Sequence, residues 1–254
     1  MSLNIDNVGK KICIIKDDPK FNKTIISLSE DEENNELVKP FKELHLQKGV
    51  FQWIPDKTDD RFTAYICGAA GSGKSHVASK MAIEYHNIFK NNPIYLISEG
   101  KDDPLFDNLK YINRIQIDEE LLEEPIDYAD FNNCLCIFDD IDAISGKLGK
   151  YLYILRDKLL KNSRKSRVSV ISTNHACTGK DVQAVLNESQ IICFFMKNYN
   201  RSLKYLLESY VGLNKDGIKA LKKNKSRWTM YIKTFPNVIL QERDLMTIDK
   251  IQDF

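Results

Sequence analysis

No stretch of this 254-residue chain reaches the roughly 18 consecutive apolar residues that a membrane-spanning helix needs. The amino terminus, MSLNIDNVGKK, lacks the apolar core of an export signal, so the sequence predicts a cytoplasmic protein without a membrane segment. Excess charge of either sign is missing too. The 37 Lys+Arg face 36 Asp+Glu, a net charge of +1, which excludes a globally basic coat and makes any polyanion site local. Histidine is sparse: His45, His76, His86 and His175 are dispersed, and the six cysteines show no C-x-x-C spacing. A zinc centre is thereby disfavoured, and the cysteines read as small apolar residues of a reducing compartment. Internal repeats and low-complexity linkers are absent. What remains, 43% apolar and 29% charged residues, is an ordinary globular composition at a length that buries a core without disulfides.

Two short strands are predicted at residues 11–15 (KICII) and 24–28 (TIISL), followed by an acidic loop at 29–36. From Arg61 onward, apolar runs alternate with helical stretches, the pattern of an α/β sheet with crossovers. The runs are 62–67, 94–98, 135–138, 168–173 and 191–196, with helices predicted over 74–90, 148–162, 180–187 and 200–211. Residues 228–233 and 238–240, split by Pro236, read as a hairpin at a sheet edge. The expected organisation is an N-terminal β-containing extension at 1–60 and a nucleotide-binding α/β domain at 61–254.

Residues 68–75 read GAAGSGKS and match G-x-x-x-x-G-K-[ST] directly after the apolar strand FTAYIC and before a helical stretch. Gly68, Gly71 and Gly73 let the backbone curl so that its N–H groups converge on phosphate oxygens, and the following helix adds its positive end. Lys74 is expected to reach the β- and γ-phosphates of ATP, and the Ser75 hydroxyl to ligate Mg²⁺. The predicted nucleotide contacts are Gly68, Ala69, Ala70, Gly71, Ser72, Gly73, Lys74, Ser75 and His76. A second element, CLCIFDDID at 134–142, is a buried strand ending in carboxylates at the sheet edge where ligands bind. Asp139 is the expected Mg²⁺ partner. Asp140 is placed to orient or deprotonate the attacking water, with Glu99 as rival, and Asp142 reads as a solvated loop acid or cap.

One further strand fits between these two motifs, which predicts a P-loop NTPase with a RecA-like, mostly parallel central sheet of order 5-1-4-3-2. The strand VSVIST ends at Asn174 and His175, either of which could contact the γ-phosphate or the lytic water. Arginine is scarce, eight residues against 29 lysines, so each is a candidate finger acting across a subunit boundary. Arg164 and Arg167, just before that strand, lie away from their own site and suit a neighbour's, with a surface salt bridge as the equal alternative for each arginine. Between Lys147 and Arg167 stand eight basic residues and one acid, Asp157, with Tyr151 and Tyr153 interleaved. That cluster, and a second from Lys215 to Arg227, reads either as a DNA-phosphate surface or as a solvated helix face.

GAAGSGKS, the strand ending in Asp-Asp, the basic helix leading to NSRKSR and then VSVISTNH together resemble the FtsK/HerA-type genome-packaging ATPases of large DNA viruses and virophages, with the short virophage type nearest. The resemblance covers residues 60 to 240. It implies ATP hydrolysis with Mg²⁺, a homo-oligomeric ring (pentamer or hexamer), translocation of double-stranded DNA, capsid vertex proteins as partners, and a place in the virus factory of the host cytoplasm or in the virion. Two positions depart from the wider group. Asp140 stands where a glutamate is common, and His175 where a glutamine is. Two other functions share the phosphate loop: a nucleotide kinase-type phosphotransferase, disfavoured by the shortage of arginine, and a nucleotide-gated assembly protein with little turnover.

Overall fold

The computed structural model describes residues 2–29, 39–100 and 103–252. The acidic loop expected at 29–36 lies, from residue 30 on, outside the described residues. Chain contacts divide the protein into two compact units, Met1–Asp59 with Cys193–Phe254, and Asp60–Ile192. The change of pattern at Arg61 coincides with the first division. Residues 193–254 group with the amino-terminal segment.

In the first unit, β1 (Ser2–Asn4), β2 (Lys10–Lys16), β3 (Ile25–Ser29), β4 (Glu43–His45) and β5 (Val50–Trp53) supply an antiparallel sheet of order β1-β3-β2-β5. Half-buried and buried positions mix along β2 and alternate along β5, whereas β1 and β3 are buried at all but Ile25, with Leu3, Ile12, Ile15, Ile26, Leu28 and Phe51 inside. The exception to this sheet is β4, whose partner comes from the far end of the chain.

The second unit carries β6 (Thr63–Cys67), α1 (Lys74–Ile88), β7 (Ile94–Ser98), α2 (Pro104–Asp107), β8 (Ile112–Gln116), α3 (Glu120–Glu123), β9 (Leu135–Phe138), α4 (Gly146–Asn162), β10 (Ser169–Asn174), α5 (Gln183–Glu188) and the start of β11 (Ile191–Phe194). Its strands run β11-β6-β10-β9-β7-β8. Pairings of β6 with β10, β10 with β9, β9 with β7 and β7 with β8 are all parallel. The five strands predicted from sequence therefore stand in the expected order 5-1-4-3-2. Every residue of β6, β9 and β10 is buried, which is why these segments read as unbroken apolar runs: helices cover both faces of a parallel sheet. The unpredicted member is β8. As an edge strand it is half exposed and carries Asn113, Arg114 and Gln116, so its sequence lacks the signature of a buried strand.

The carboxy-terminal part of the first unit comprises α6 (Arg201–Leu206), α7 (Lys215–Lys223), β12 (Thr229–Ile232), β13 (Val238–Gln241), β14 (Asp244–Thr247) and α8 (Ile248–Gln252). The predicted hairpin is β12–β13, antiparallel, and β14 continues it to pair with β4. The helix expected over 200–211 is divided: a π-helical turn, Leu207–Val211, follows α6 and ends at Gly212 with φ 78°.

Two contacts fix α4, the helix that follows the acidic strand. Arg61 donates to the carbonyls of Leu159 (2.8 Å) and Leu160 (2.5 Å), satisfying groups that a helix end leaves without partners. At the other end Gly149 passes so close to the preceding turn that a Cβ there would lie 2.1 Å from the Ile144 carbonyl oxygen. Alanine normally favours a helix interior over glycine by about 1 kcal/mol. Here the backbone clash reverses the sign. Gly149→Ala is expected to destabilise the protein by about 1–3 kcal/mol, read as a lower midpoint of urea unfolding.

Candidate nucleotide site

All the residues of the candidate site belong to the second unit. The phosphate loop leaves β6 and bends where glycine is required: Gly71 has φ 71° and Gly73, which starts α1, has φ 105°. Both values lie in the left-handed region that a side chain disfavours. The loop is pinned by Gly68 N–H donating to the Asn174 carbonyl (3.1 Å) and Ser72 N–H to the Ala69 carbonyl (3.1 Å). Ala69, Ala70, Gly71 and His76 are exposed. The Ser72 hydroxyl oxygen is buried with no hydrogen-bond partner.

Lys74, only 4% exposed, places its ammonium 3.2 Å from Asp140 Oδ1. Ser75 Oγ, one residue on, donates to Asp139 Oδ2 at 3.2 Å. These contacts join α1 to the end of β9. A third element locks them. Thr173 of β10 donates its hydroxyl to Asp139 Oδ1 (2.7 Å) and accepts the Asp140 backbone N–H (2.8 Å), so one hydroxyl fixes both acids of the strand end. Burial pushes the Asp139 carboxyl above the usual range and the neighbouring Asp140 charge adds to this, while hydrogen bonds from Thr173 and Ser75 oppose it. A carboxylate in that state gains from an arriving cation.

Asp140 adopts φ 49°, which turns the chain sharply into the short helical turn Ile141–Ala143. Asp142 thereby comes back against the end of β10. Its Oδ2 accepts the His175 backbone N–H (2.7 Å), and its Oδ1 lies 3.2 Å from His175 Nδ1. The other ring nitrogen, Nε2, is 3.7 Å from Asp140 Oδ2. Nearby, the Tyr65 hydroxyl of β6 donates to the Ala176 carbonyl; burial drives this phenol far above its ordinary range. It stays protonated and tethers the segment after β10 to the strand before the phosphate loop.

The structure thus brings Lys74, Ser75, Asp139, Asp140 and His175 into one cluster. Asn174 is divided: its carbonyl supports the phosphate loop, but its side chain is fully buried on the opposite strand face from Thr173, accepting from Ser172 Oγ (2.9 Å), with Nδ2 unpartnered. Glu99 is exposed beyond β7. Arg164 stands 77% exposed in the turn before β10, paired with Asp60 at 3.2 Å, so it does not join this cluster. Within the basic run 147–167, Arg156 is not a surface charge. It is fully buried and donates to Asp157 Oδ1 and the Asp181 carbonyl, both at 2.8 Å. Two site residues were not predicted. Thr173 was signalled only by a hydroxyl at the penultimate position of an apolar strand, and Asp142, expected as a solvated loop acid or cap, accepts from the His175 backbone N–H and lies against its ring.

The donors present suit a magnesium–nucleotide complex. Backbone N–H groups and the unpartnered Ser72 hydroxyl meet the needs of phosphate oxygens, and Lys74 supplies the cation. Ser75 with the burial-strained Asp139 offers hard oxygen ligands to Mg²⁺. A phosphate loop, an acidic strand end and an intervening strand in a 5-1-4-3-2 parallel sheet define a P-loop ATPase fold of the RecA-like kind. No family model matches the chain. It is 32% identical over 233 residues to Uncharacterized protein V3 of the Sputnik virophage, across 90% of this chain and 91% of that protein, and it belongs to that protein's family. Among solved structures, the cytoplasmic domain of the Type VII secretion ATPase EccC of Thermomonospora curvata aligns with TM-score 0.52 and 11% identity, over 80% of this chain and 28% of that one. The genome packaging NTPase B204 of Sulfolobus turreted icosahedral virus 2, in complex with ATPγS, aligns with TM-score 0.50 and 12% identity, over 73% of this chain and 98% of that one. At identities this low the likeness shows the shared fold alone.

Because Thr173 serves two acids with one hydroxyl, Thr173→Val preserves shape and removes both bonds. It should destabilise the protein by about 1–3 kcal/mol and push the Asp139 carboxyl higher still. Thr173→Ser should recover most of the loss. Thermal denaturation of the two variants side by side checks this.

Proposed function

We propose that this chain is a magnesium-dependent ATPase motor that packages double-stranded DNA into a viral capsid. The observation that carries the reading is the convergence of Lys74, Ser75, Asp139, Asp140 and Thr173 at the carboxyl edge of three adjacent parallel strands. Membership of a virophage protein family supports the viral setting, and the fold shared with the packaging NTPase B204 supports the task.

In this mechanism Gly68–Ser75 cradles the phosphates, with His76 at the start of the helix, and Lys74 binds the β- and γ-phosphates. Ser75 and Asp139 would hold Mg²⁺, and the chemistry it would supply there is neutralisation of negative charge on the phosphates. Asp140 orients the attacking water and accepts its proton. The fixed Asp140 backbone and its contacts with Lys74 and His175 favour it over the exposed Glu99. Asn174 shapes the loop through its carbonyl, and His175 presents its ring to the reacting side.

Duplex DNA is read without sequence preference through surface lysines. In the second unit Lys147, Lys150, Lys158, Lys161, Arg164, Lys165 and Arg167 are exposed, and so in the first are Lys215, Lys219, Lys222, Lys223, Lys225 and Arg227. Assembly is a homo-oligomeric ring of five or six subunits that docks on capsid vertex proteins in the virus factory or virion. No helix among the described residues is long and apolar enough to cross a membrane. Arg164, exposed and remote from its own phosphate loop, reaches a neighbour's site as a finger.

The purified protein is expected to release phosphate from ATP without an added acceptor. Duplex DNA of any sequence should stimulate this, with an affinity that falls steeply as salt rises. Lys74→Ala should abolish turnover in a folded protein, and normal activity in that variant would overturn the assignment. The subunit boundary has its own test. Arg164→Ala should still bind ATP yet lose turnover by up to about three to five orders of magnitude. Mixing it with Lys74→Ala should restore activity, because some interfaces then pair an intact Lys74 with a neighbour's intact Arg164. A co-assembled mixture that stays inactive rules out the trans role.

A further inference from the structure

We propose that Asp142 is a positioning residue for hydrolysis: through His175 it builds, together with Asp140, a two-acceptor seat for a single water molecule. The inference rests on the ATPase reading above and deepens it.

The argument begins with hydrogen-bond chemistry. Asp142 meets His175 with both oxygens, one on the backbone N–H (2.7 Å) and one on Nδ1 (3.2 Å). A carboxylate in its usual ionised form only accepts, so in the neutral form of the ring the geometry assigns the proton to Nδ1. Nε2 is left with its lone pair exposed. The acid is the less accessible partner, with its side chain 15% exposed against 41% for the histidine, so the carboxylate is the fixed member and the ring the oriented one.

What the ring is oriented toward is Asp140. Nε2 lies 3.7 Å from Asp140 Oδ2, beyond direct hydrogen-bond range and between two groups that both accept. Their natural mediator is a water that donates one hydrogen to each. A water held by both hydrogens turns its lone pairs away from them. The remaining Asp140 oxygen, Oδ1, is 3.2 Å from the Lys74 ammonium, so the seat borders the side chain that binds the γ-phosphate. When this water attacks, an O–P bond forms and the bond to the β–γ bridging oxygen breaks. ADP leaves with that electron pair, and the water proton passes to Asp140, which holds it.

In the seat the imidazole supplies a second acceptor beside the single carboxylate of Asp140. The seat also assigns a role to the left-handed conformation of Asp140 (φ 49°). Without that turn Asp142 would run on into the loop and His175 would have no anchor.

Asp142→Asn tests the arrangement while keeping the side-chain volume and, through Oδ1, the acceptor for the His175 backbone N–H. Its amide nitrogen would face Nδ1 and force the proton onto Nε2, turning an acceptor of the seat into a donor. Nitrogen-15 NMR of histidine-labelled protein should give the Nδ1–H tautomer for His175 in the wild type and the Nε2–H tautomer in the variant. Turnover should fall by about 10- to 100-fold while ATP affinity stays within about 3-fold, the split expected of an interaction made only on the way to the transition state. In a His175→Ala background the same substitution should cost nothing further. A normal tautomer and normal turnover in Asp142→Asn, or an equal loss with and without His175, would overturn the proposal. A wild-type protein that shows the Nδ1–H tautomer but releases no phosphate would instead sink the ATPase reading on which the seat depends.

Discussion

Strand β10 is hydrogen-bonded in parallel to both β6 and β9, with Asn174 opposite Cys67 and Ser172 opposite Phe138. That double register sets the level at which three chain segments leave the sheet. It puts the first residue of the phosphate loop beside Asn174, and it puts Asp139 and Asp140 beside Thr173. A slip of one residue would send Thr173 to the opposite face and separate the hydroxyl from both acids. The register is held by burial, since every residue of the three strands is inside.

With the backbone so placed, the electrostatics of the site follow from a shortage of solvent. Asp139 is held above the usual carboxylate range chiefly by burial, and two hydroxyls only partly compensate. Lys74 is almost completely buried and has Asp140 as its counter-ion. Both groups are organised for charges that arrive with the nucleotide, and each is costly to keep without them. The His175 ring, with 41% of its side chain exposed, is the most open part of the side-chain cluster. The two oxygens of one carboxylate, Asp140, thus face different partners, Oδ1 the buried Lys74 ammonium and Oδ2 the open His175 ring.

Arginine is used in three different ways in the second unit, although the residues are alike in sequence. Arg61 ties down the carboxyl end of α4. Arg156 is buried among Tyr153, Asp157 and the Asp181 carbonyl, an internal strut and not part of a basic face. Arg164 alone of these three stands out from the surface with a weak, exposed ion pair. That contrast is what separates a candidate for intermolecular contact from its neighbours.

The phosphate loop, the acidic strand end and the five central strands were determined by the sequence itself. Each depends on contiguous residues: a glycine-rich turn between an apolar run and a helix, or an apolar run ending in acids. Tertiary structure alone decided the rest. β8 could not be read because an edge strand has too little burial to imprint a pattern. The grouping of residues 193–254 with the amino terminus depends on β14 pairing with β4, across most of the chain's length. Arg156 inside a basic run, Thr173 as the lock on two acids, and Asp142 as the anchor of His175 are likewise invisible in one dimension. The physical reason is common to them. Local sequence sets backbone propensity and the periodicity of burial, whereas the partner of a polar side chain is set by which segments lie adjacent and in what register; Thr173 and His175 find theirs 34 and 33 positions away along the chain, and Arg156 reaches the Asp181 carbonyl 25 positions away.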